Sequence, residues 1–141
     1  MQNGQLNLFT DGGARGNPGP AGIGVVLLDV SGRTVEAYGK YIGENTNNQA
    51  EYLALISGLE KAVTLGVKKI SCHLDSELIV RQLQGKYKIK NEGLKPLAAK
   101  VLMLSNKFLN VTYTYVPREK NHHADKLVNE AIDVQQGRSK V

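Results

Sequence analysis

The stretch Phe9–Gly22, FTDGGARGNPGPAG, decides how the rest of the chain is read. A strand-like run carrying Leu6, Leu8 and Phe9 is expected to end at Asp11, and glycine and proline then take over. A carboxylate at the end of a buried strand is costly to hold charged unless a cation sits against it. The chain therefore poses a question at its eleventh residue: which cation, and which other residues share it.

Working outward, Gly24–Val30 (GVVLLDV) reads as a largely buried strand, Ser31-Gly32 as a tight turn, and Thr34–Ile42 as a returning strand. Three strands joined by short turns predict an antiparallel meander. The period then changes. Leu55, Leu59, Ala62 and Leu65 recur at helical spacing over Asn47–Leu65, with Thr46 or Asn47 as N-cap and Gly66 as the stop. Lys68–Leu74 alternates as a fourth strand, and Ser76 caps a short helix through Leu83. Gly85–Asn91 is a basic loop, and Leu94–Phe108 is a helix with Pro96 in its first turn, where proline is tolerated. Val111–Val116 is a fifth strand, and Asn121 caps a last helix reaching about Val134. The order is βββ-α-β-αα-β-α. Strands that alternate with helices run parallel through crossovers. The predicted fold is α/β: a five-stranded mixed sheet, three strands antiparallel and the later ones parallel, flanked by helices. One domain is expected over residues 1–136, with a flexible tail over 137–141.

Bulk properties narrow the class. The chain has 141 residues, 41% of them hydrophobic, which suits one globular domain. Its net charge of +5 is compatible with a polyanionic partner and, equally, with many plain soluble enzymes. The single cysteine, Cys72, excludes a disulfide framework and suggests a reducing, cytoplasmic setting. The start, MQNGQLNLFT, has no basic segment followed by an apolar block, so no signal peptide is expected. No apolar run approaches the roughly 18–20 residues of a membrane span.

Four of the thirteen acids occupy odd places. Asp11 and Asp75 end the first and fourth strands, and the carboxyl ends of strands are where open α/β sheets form sites. Glu51 shares the core-facing stripe of its helix with Leu55, Leu59 and Ala62, and Asp125 shares the inward face of the last helix with Val128 and Ile132. Singly, each has an ordinary explanation as a turn former, a cap or a dipole partner. None of these explains two inward-facing helix-start acids beside two strand-end acids. If the four converge, two like charges ~4 Å apart repel by roughly 4 kcal/mol at an effective dielectric of 20. Several such pairs rival the stability of a whole domain, about 5–15 kcal/mol. Either some acids hold protons or divalent cations neutralise them. An all-oxygen ligand set points to magnesium or manganese. Two such ions about 3.5–4 Å apart serve phosphodiester cleavage by activating water and stabilising the leaving oxygen.

The blocks TDGGARGNPGPAG, TNNQAEYLALISGL, LDSELIVRQLQG and VPREKNHHADKLVNEA, in this order, resemble the four signature blocks of type 1 ribonuclease H, and together they cover nearly the whole chain. The resemblance implies a ribonuclease H-like fold and metal-dependent hydrolysis of the RNA strand of RNA–DNA hybrids, leaving 5′-phosphate and 3′-hydroxyl ends. It implies two Mg²⁺ ions, or Mn²⁺, held by Asp11, Glu51, Asp75 and Asp125 as ligands rather than nucleophiles. It further implies hybrid contacts by Gly12 and Gly13, where bare backbone lets the ribose approach, by Asn17, Asn47 and Asn48 in the shallow minor groove, and by Thr46 on a DNA-strand phosphate. Turn formation for Asn17 and helix capping for Thr46 and Asn47 account for the same letters. The active unit is expected to be a monomer with no obligate protein partner and no membrane attachment.

The chain also departs from the family pattern. Many members carry a histidine in the loop before the last helix; here that loop is PREK, and His122 and His123 follow it. Either of these, or Arg118, could reach the scissile phosphate, while solvated polar residues are the ordinary reading. His73 is read as packing or as a partner of a metal ligand. Glu77 stands where many relatives place an amide, and Arg15 either pairs with a phosphate or lies in solvent. A full basic protrusion is missing; Lys86, Lys88, Lys90, Lys95 and Lys100 either follow a phosphate backbone or simply face water. Two further possibilities stay open: a nuclease of the same fold acting on double-stranded RNA, and a weakly active nucleic-acid-binding module.

Overall fold

The computed structural model describes residues 4–137. Five strands form one sheet: β1 (Gln5–Ala14), β2 (Gly19–Leu28), β3 (Thr34–Asn45), β4 (Lys69–Leu74) and β5 (Asn110–Tyr115). The helices are α1 (Asn47–Thr64), α2 (Glu77–Leu83), α3 (Lys95–Ser105) and α4 (His122–Gln135), and a 3-10 turn at Arg118–Lys120 precedes α4. The sheet order is β3-β2-β1-β4-β5. β1, β2 and β3 pair antiparallel, whereas β4 is parallel to β1 and β5 is parallel to β4. This is the predicted mixed sheet in the predicted element order.

One face carries the main core. Leu6 and Leu8 of β1, Val25 and Leu27 of β2, and Ile70, Cys72 and Leu74 of β4 pack with Tyr52, Leu55 and Leu59 of α1 and with Val101 of α3. The apolar residues on β1 and β4 alternate, as a strand with one buried face requires. α4 covers the other face over β1, β2 and β3, burying Ala124, Val128 and Ile132. The ends of α1 follow from its flanking residues. Thr46 and Gln49 form a reciprocal capping box, and Gly66, with φ +75°, lets the chain turn away.

The structure ends α3 at Ser105 rather than Phe108 and β2 at Leu28 rather than Val30, and it corrects three boundaries near the glycine-rich stretch. β1 does not end at Asp11 but continues to Ala14. Its pairing with β4 stops at Thr10↔Leu74, while its pairing with β2 continues to Ala14↔Ala21. Asp11 is thus the first residue past the end of the parallel neighbour, with sheet on one side only. β2 starts at Gly19 rather than Gly24, because glycine and proline there still pair with β3. The turn is correspondingly short, closed by a bond of 2.8 Å from the Arg15 N–H to the Pro20 carbonyl. β3 runs to Asn45 rather than Ile42, through a bulge at which Gly43 takes φ +78°. The expected tail lies outside the described residues apart from Gly137, which has φ +75° just after α4.

Two glycines set how closely the helices approach the site. A Cβ on Gly12 would lie 2.2 Å from the Ala50 carbonyl oxygen, and one on Gly24 would lie 2.1 Å from that of Ala124. Ala50 precedes Glu51, Ala124 precedes Asp125, and Gly24 is the cross-strand partner of Asp11. The missing side chains therefore let each helix bring its acid down to the level of β1. Forcing a methyl into a packed contact costs typically 1–3 kcal/mol. Gly24→Ala should destabilise the fold by about that amount in urea unfolding. Gly4→Ala, with nothing within 4 Å of its Cβ, should stay within about 0.5 kcal/mol of wild type. Equal effects of the two would contradict the packing account.

Candidate active site

Each acid reaches the site from a different element. Asp11 comes from β1, Glu51 from the first turns of α1, Asp75 from the residue after β4, and Asp125 from the first turn of α4. One carboxylate oxygen from each of Asp11, Glu51 and Asp75 lies within 4.8 Å of the other two. Asp125 is not in this mutual set. It neighbours Asp11, whose proton affinity it raises. All four line a single cleft of about 420 Å³ with Gly12, Gly13, Asn47 and Arg118.

The electrostatics follow from burial and crowding. Asp11 is 6% exposed and Glu51 8%. Burial, and then the charge of Asp75 and the hydrogen bond with Asp125, push the Asp11 carboxyl up to about 8. Glu51 is raised well above the usual range by burial, and then by the charges of Asp11 and Asp75. The Gly12 N–H, close to both carboxyls, offsets part of each shift, and Arg118 offsets part of that of Glu51. Glu51 Oε1 is buried without a hydrogen-bond partner. Without a cation, burial and crowding favour the protonated carboxyls. With a hard divalent ion, the same oxygens form a donor set of the kind such ions take.

Of the residues expected to meet a nucleic acid, Gly12, Gly13 and Asn47 line the cleft, whereas Asn17, Thr46 and Asn48 do not. Gly13 lines the cleft, with the nearest atom 3.9 Å from where its Cβ would be, whereas the space beside Gly12 is filled by α1. Asn17 Oδ1 accepts from the Asn47 N–H at 3.0 Å, and Asn47 Oδ1 accepts from the Ala14 N–H at 2.8 Å. These bonds lock the β1–β2 turn to the start of α1. Thr46 is the cap of α1, and Asn48 is half-buried in its first turn.

Several side chains with open readings take definite places. Arg15 pairs with Asp133 at 2.5 Å, tying the glycine-rich turn to α4. Glu77 pairs with Arg81 at 3.3 Å. His73 stacks on Phe9 with ring centroids 4.5 Å apart, so it packs against the strand next door. His122 and His123 are exposed and do not line the acidic cleft, whereas Arg118 does. Lys95 and Lys100 form ion pairs with Glu92 at 2.8 Å and Glu60 at 3.6 Å, while Lys86, Lys88 and Lys90 are exposed in the loop after α2.

One site residue was misread from the letters. Asn121 stands at the N-cap of α4 but makes no side-chain cap bond. Its Nδ2 donates instead to the Thr10 carbonyl at 2.8 Å and to Asp75 Oδ2 at 2.9 Å. An asparagine before a helix looks like a cap from sequence; only the position of β4 makes another acceptor available.

The raised Asp11 carboxyl predicts a pH dependence. Asp11 binds its proton more tightly folded, at about 8, than at its ordinary value of 3.8. That contribution is fully present below the ordinary value and is lost as pH rises through about 8. The metal-free protein should therefore lose stability across this window. Asp11→Asn, which has no proton to lose, should flatten the slope and exceed wild type by at least ~1 kcal/mol at pH 8.5. Chemical unfolding in EDTA at pH 5 and pH 8.5 checks this; parallel slopes for the two proteins would count against it.

Comparison with known proteins gives the same assignment. A family model described as reverse transcriptase-like matches residues 9–131. The bifunctional protein Rv2228c of Mycobacterium tuberculosis is 45% identical over 124 residues, covering 87% of this chain. This chain spans only about a third, 34%, of that relative's length. Ribonuclease HI of Halobacterium salinarum is 42% identical over 130 residues, 92% of this chain and 65% of that protein. The crystal structure of RNase H1 from that archaeon superposes with a TM-score of 0.91, covering 93% of this chain and 99% of that one. LC11-RNase H1, solved in complex with RNA/DNA hybrid, is 49% identical with a TM-score of 0.89, over 93% of this chain and 99% of that one. Sheet order, acid cluster and these likenesses agree: the chain belongs to the reverse transcriptase-like, type 1 ribonuclease H family.

Proposed function

We propose that this chain is a metal-dependent endonuclease that hydrolyses the RNA strand of RNA–DNA hybrids, leaving 5′-phosphate and 3′-hydroxyl ends. The observation that carries this reading is the packing of Asp11, Glu51 and Asp75 within 4.8 Å of one another, with Asp125 lining the same cleft. A relative 49% identical to the chain was solved with a hybrid, which supports the substrate class. The catalytic domain covers residues 1–136. The reading includes a monomer as the active unit and the cytoplasm as its setting. No helix among the described residues is long and apolar enough to cross a membrane.

Asp11, Glu51, Asp75 and Asp125 would hold two Mg²⁺ or Mn²⁺ ions. Such ions, when bound, polarise a phosphoryl oxygen and lower the pKa of water. The remaining work belongs to the chain. The four carboxylates fix where the scissile phosphate must lie, at the end of β4. Gly13, bare on the cleft side, admits a ribose and its 2′-hydroxyl, the group that separates RNA from DNA. The Oδ1 atoms of Asn17 and Asn47 accept bonds from within the protein, which leaves each Nδ2 as a donor for base-edge acceptors in the shallow minor groove. Asn48 borders the same groove, and Thr46, beyond the cap bond it makes, contacts a phosphate of the DNA strand. Arg118 supplies positive charge at the cleft mouth. Lys86, Lys88 and Lys90 follow the duplex backbone, a contribution that weakens with salt.

Labelled hybrid, duplex RNA and duplex DNA should be compared with Mg²⁺, with Mn²⁺ and with excess EDTA. Cleavage confined to the RNA of the hybrid, and lost in EDTA, is the expected result. Asp11→Asn and Asp75→Asn should each lower the rate by at least ~100-fold, the scale of losing a group that acts in the transition state. Turnover in EDTA, or wild-type rates from either variant, would refute the assignment.

A further inference from the structure

We infer that Asn121 is a positioning residue of the acidic site, holding Asp75 in place for the divalent ions; this rests on the function proposed above. Asn121 is 1% exposed, and it touches three of the chain segments that deliver acids. Its Nδ2 donates to the Thr10 carbonyl, one residue before Asp11, at 2.8 Å. The same Nδ2 donates to Asp75 Oδ2 at 2.9 Å. Its own carbonyl accepts the Asp125 N–H at 3.1 Å. The amide orientation is forced, because the opposite flip would face Oδ1 toward two other acceptors.

The geometry runs against a purely structural role. An asparagine at an N-cap ordinarily turns its side-chain oxygen to a helix N–H, a bond worth about 1 kcal/mol. Asn121 does not do so, and its Oδ1 is instead buried without a partner. A residue selected for stability alone would use that oxygen. This one gives up the cap and leaves an acceptor unsatisfied in order to place two donor bonds at the end of β1 and on Asp75. A neutral donor suits the position. It orients Asp75 without adding charge, and it leaves the other Asp75 lone pairs available to an ion. Partners that orient a metal ligand in this way typically contribute 10–100-fold to metal affinity or activity.

The substitution Asn121→Asp separates the two roles. Aspartate caps helices as well as asparagine does, so a capping role predicts that it is tolerated. The positioning role predicts loss, since the donors become acceptors and a further carboxylate enters the cluster. Mn²⁺ binding to the protein without substrate should be measured by calorimetry, together with kcat and KM on an RNA–DNA hybrid. Melting temperatures should be taken in EDTA. Asn121→Ala is the second variant, and it decides the matter if the aspartate protein does not fold. The expected result for a folded variant is Mn²⁺ affinity or kcat reduced about 10–100-fold, with KM for the hybrid within about twofold of wild type. A lowered melting temperature with Mn²⁺ affinity and kcat both within twofold of wild type overturns the inference. If wild type itself neither binds Mn²⁺ nor cuts the hybrid, the proposed function fails, and this inference fails with it. If wild type does both and the variants match it, only this inference fails.

Discussion

Mutual repulsion among carboxyl groups forced out of water is the constraint on which the rest of the structure depends. Asp11, Glu51 and Asp75 would separate if their own interactions decided the matter. They stay together because the core holds their elements. Leu6 and Leu8 anchor β1, Leu55 and Leu59 anchor α1, and Cys72 and Leu74 anchor β4, all within one apolar cluster. Burial of that cluster, at ~25 cal/mol per Å² of apolar surface, offsets an electrostatic penalty the site could not bear alone. The site is therefore a load carried by the fold, which a divalent cation would relieve and which protons on Asp11 and Glu51 relieve in its absence.

Where the load sits is a matter of sheet topology. β1 continues beyond β4 along β2, so one side of Asp11 is sheet and the other is a gap. Only at such a gap can acids from opposite faces meet. Glu51 comes from the α1 face and Asp125 from the α4 face. Gly12 and Gly24 remove the side chains that would hold those helices off. Arg15 then closes the arrangement, bonding the glycine-rich turn to Asp133 on α4. The residues around the acids are thus mostly concerned with closeness and angle, and few of them carry chemistry themselves.

Much of this was legible from single residues. Alternation at Ile70, Cys72 and Leu74 marked β4, helical spacing at Leu55, Leu59 and Ala62 marked α1, and the same spacing placed Glu51 inward. The limits of β1 and β2 were less legible. Glycine and proline from Gly16 to Gly22 look like loop, yet Gly19 to Gly22 are paired strand, since ladder bonds with β3 outweigh local preference. His73 had two readings, and Phe9, on the neighbouring strand, settles it as packing; Arg15 was read as meeting a phosphate or solvent, yet it pairs with Asp133, a partner 118 residues away.

By itself the sequence determined the element order, the mixed sheet and the four acids, because those depend on periodicity and on short-range signals carried by neighbouring letters. Tertiary structure alone decided that three acids form a mutual cluster with Asp125 in the same cleft, that the histidines of α4 do not line that cleft, and that Asn121 abandons its cap to hold Asp75. The physical reason is the same in each case. A side chain chooses among the partners within its reach, and which partners those are is settled by how helices and strands stack, information that no local stretch of sequence contains.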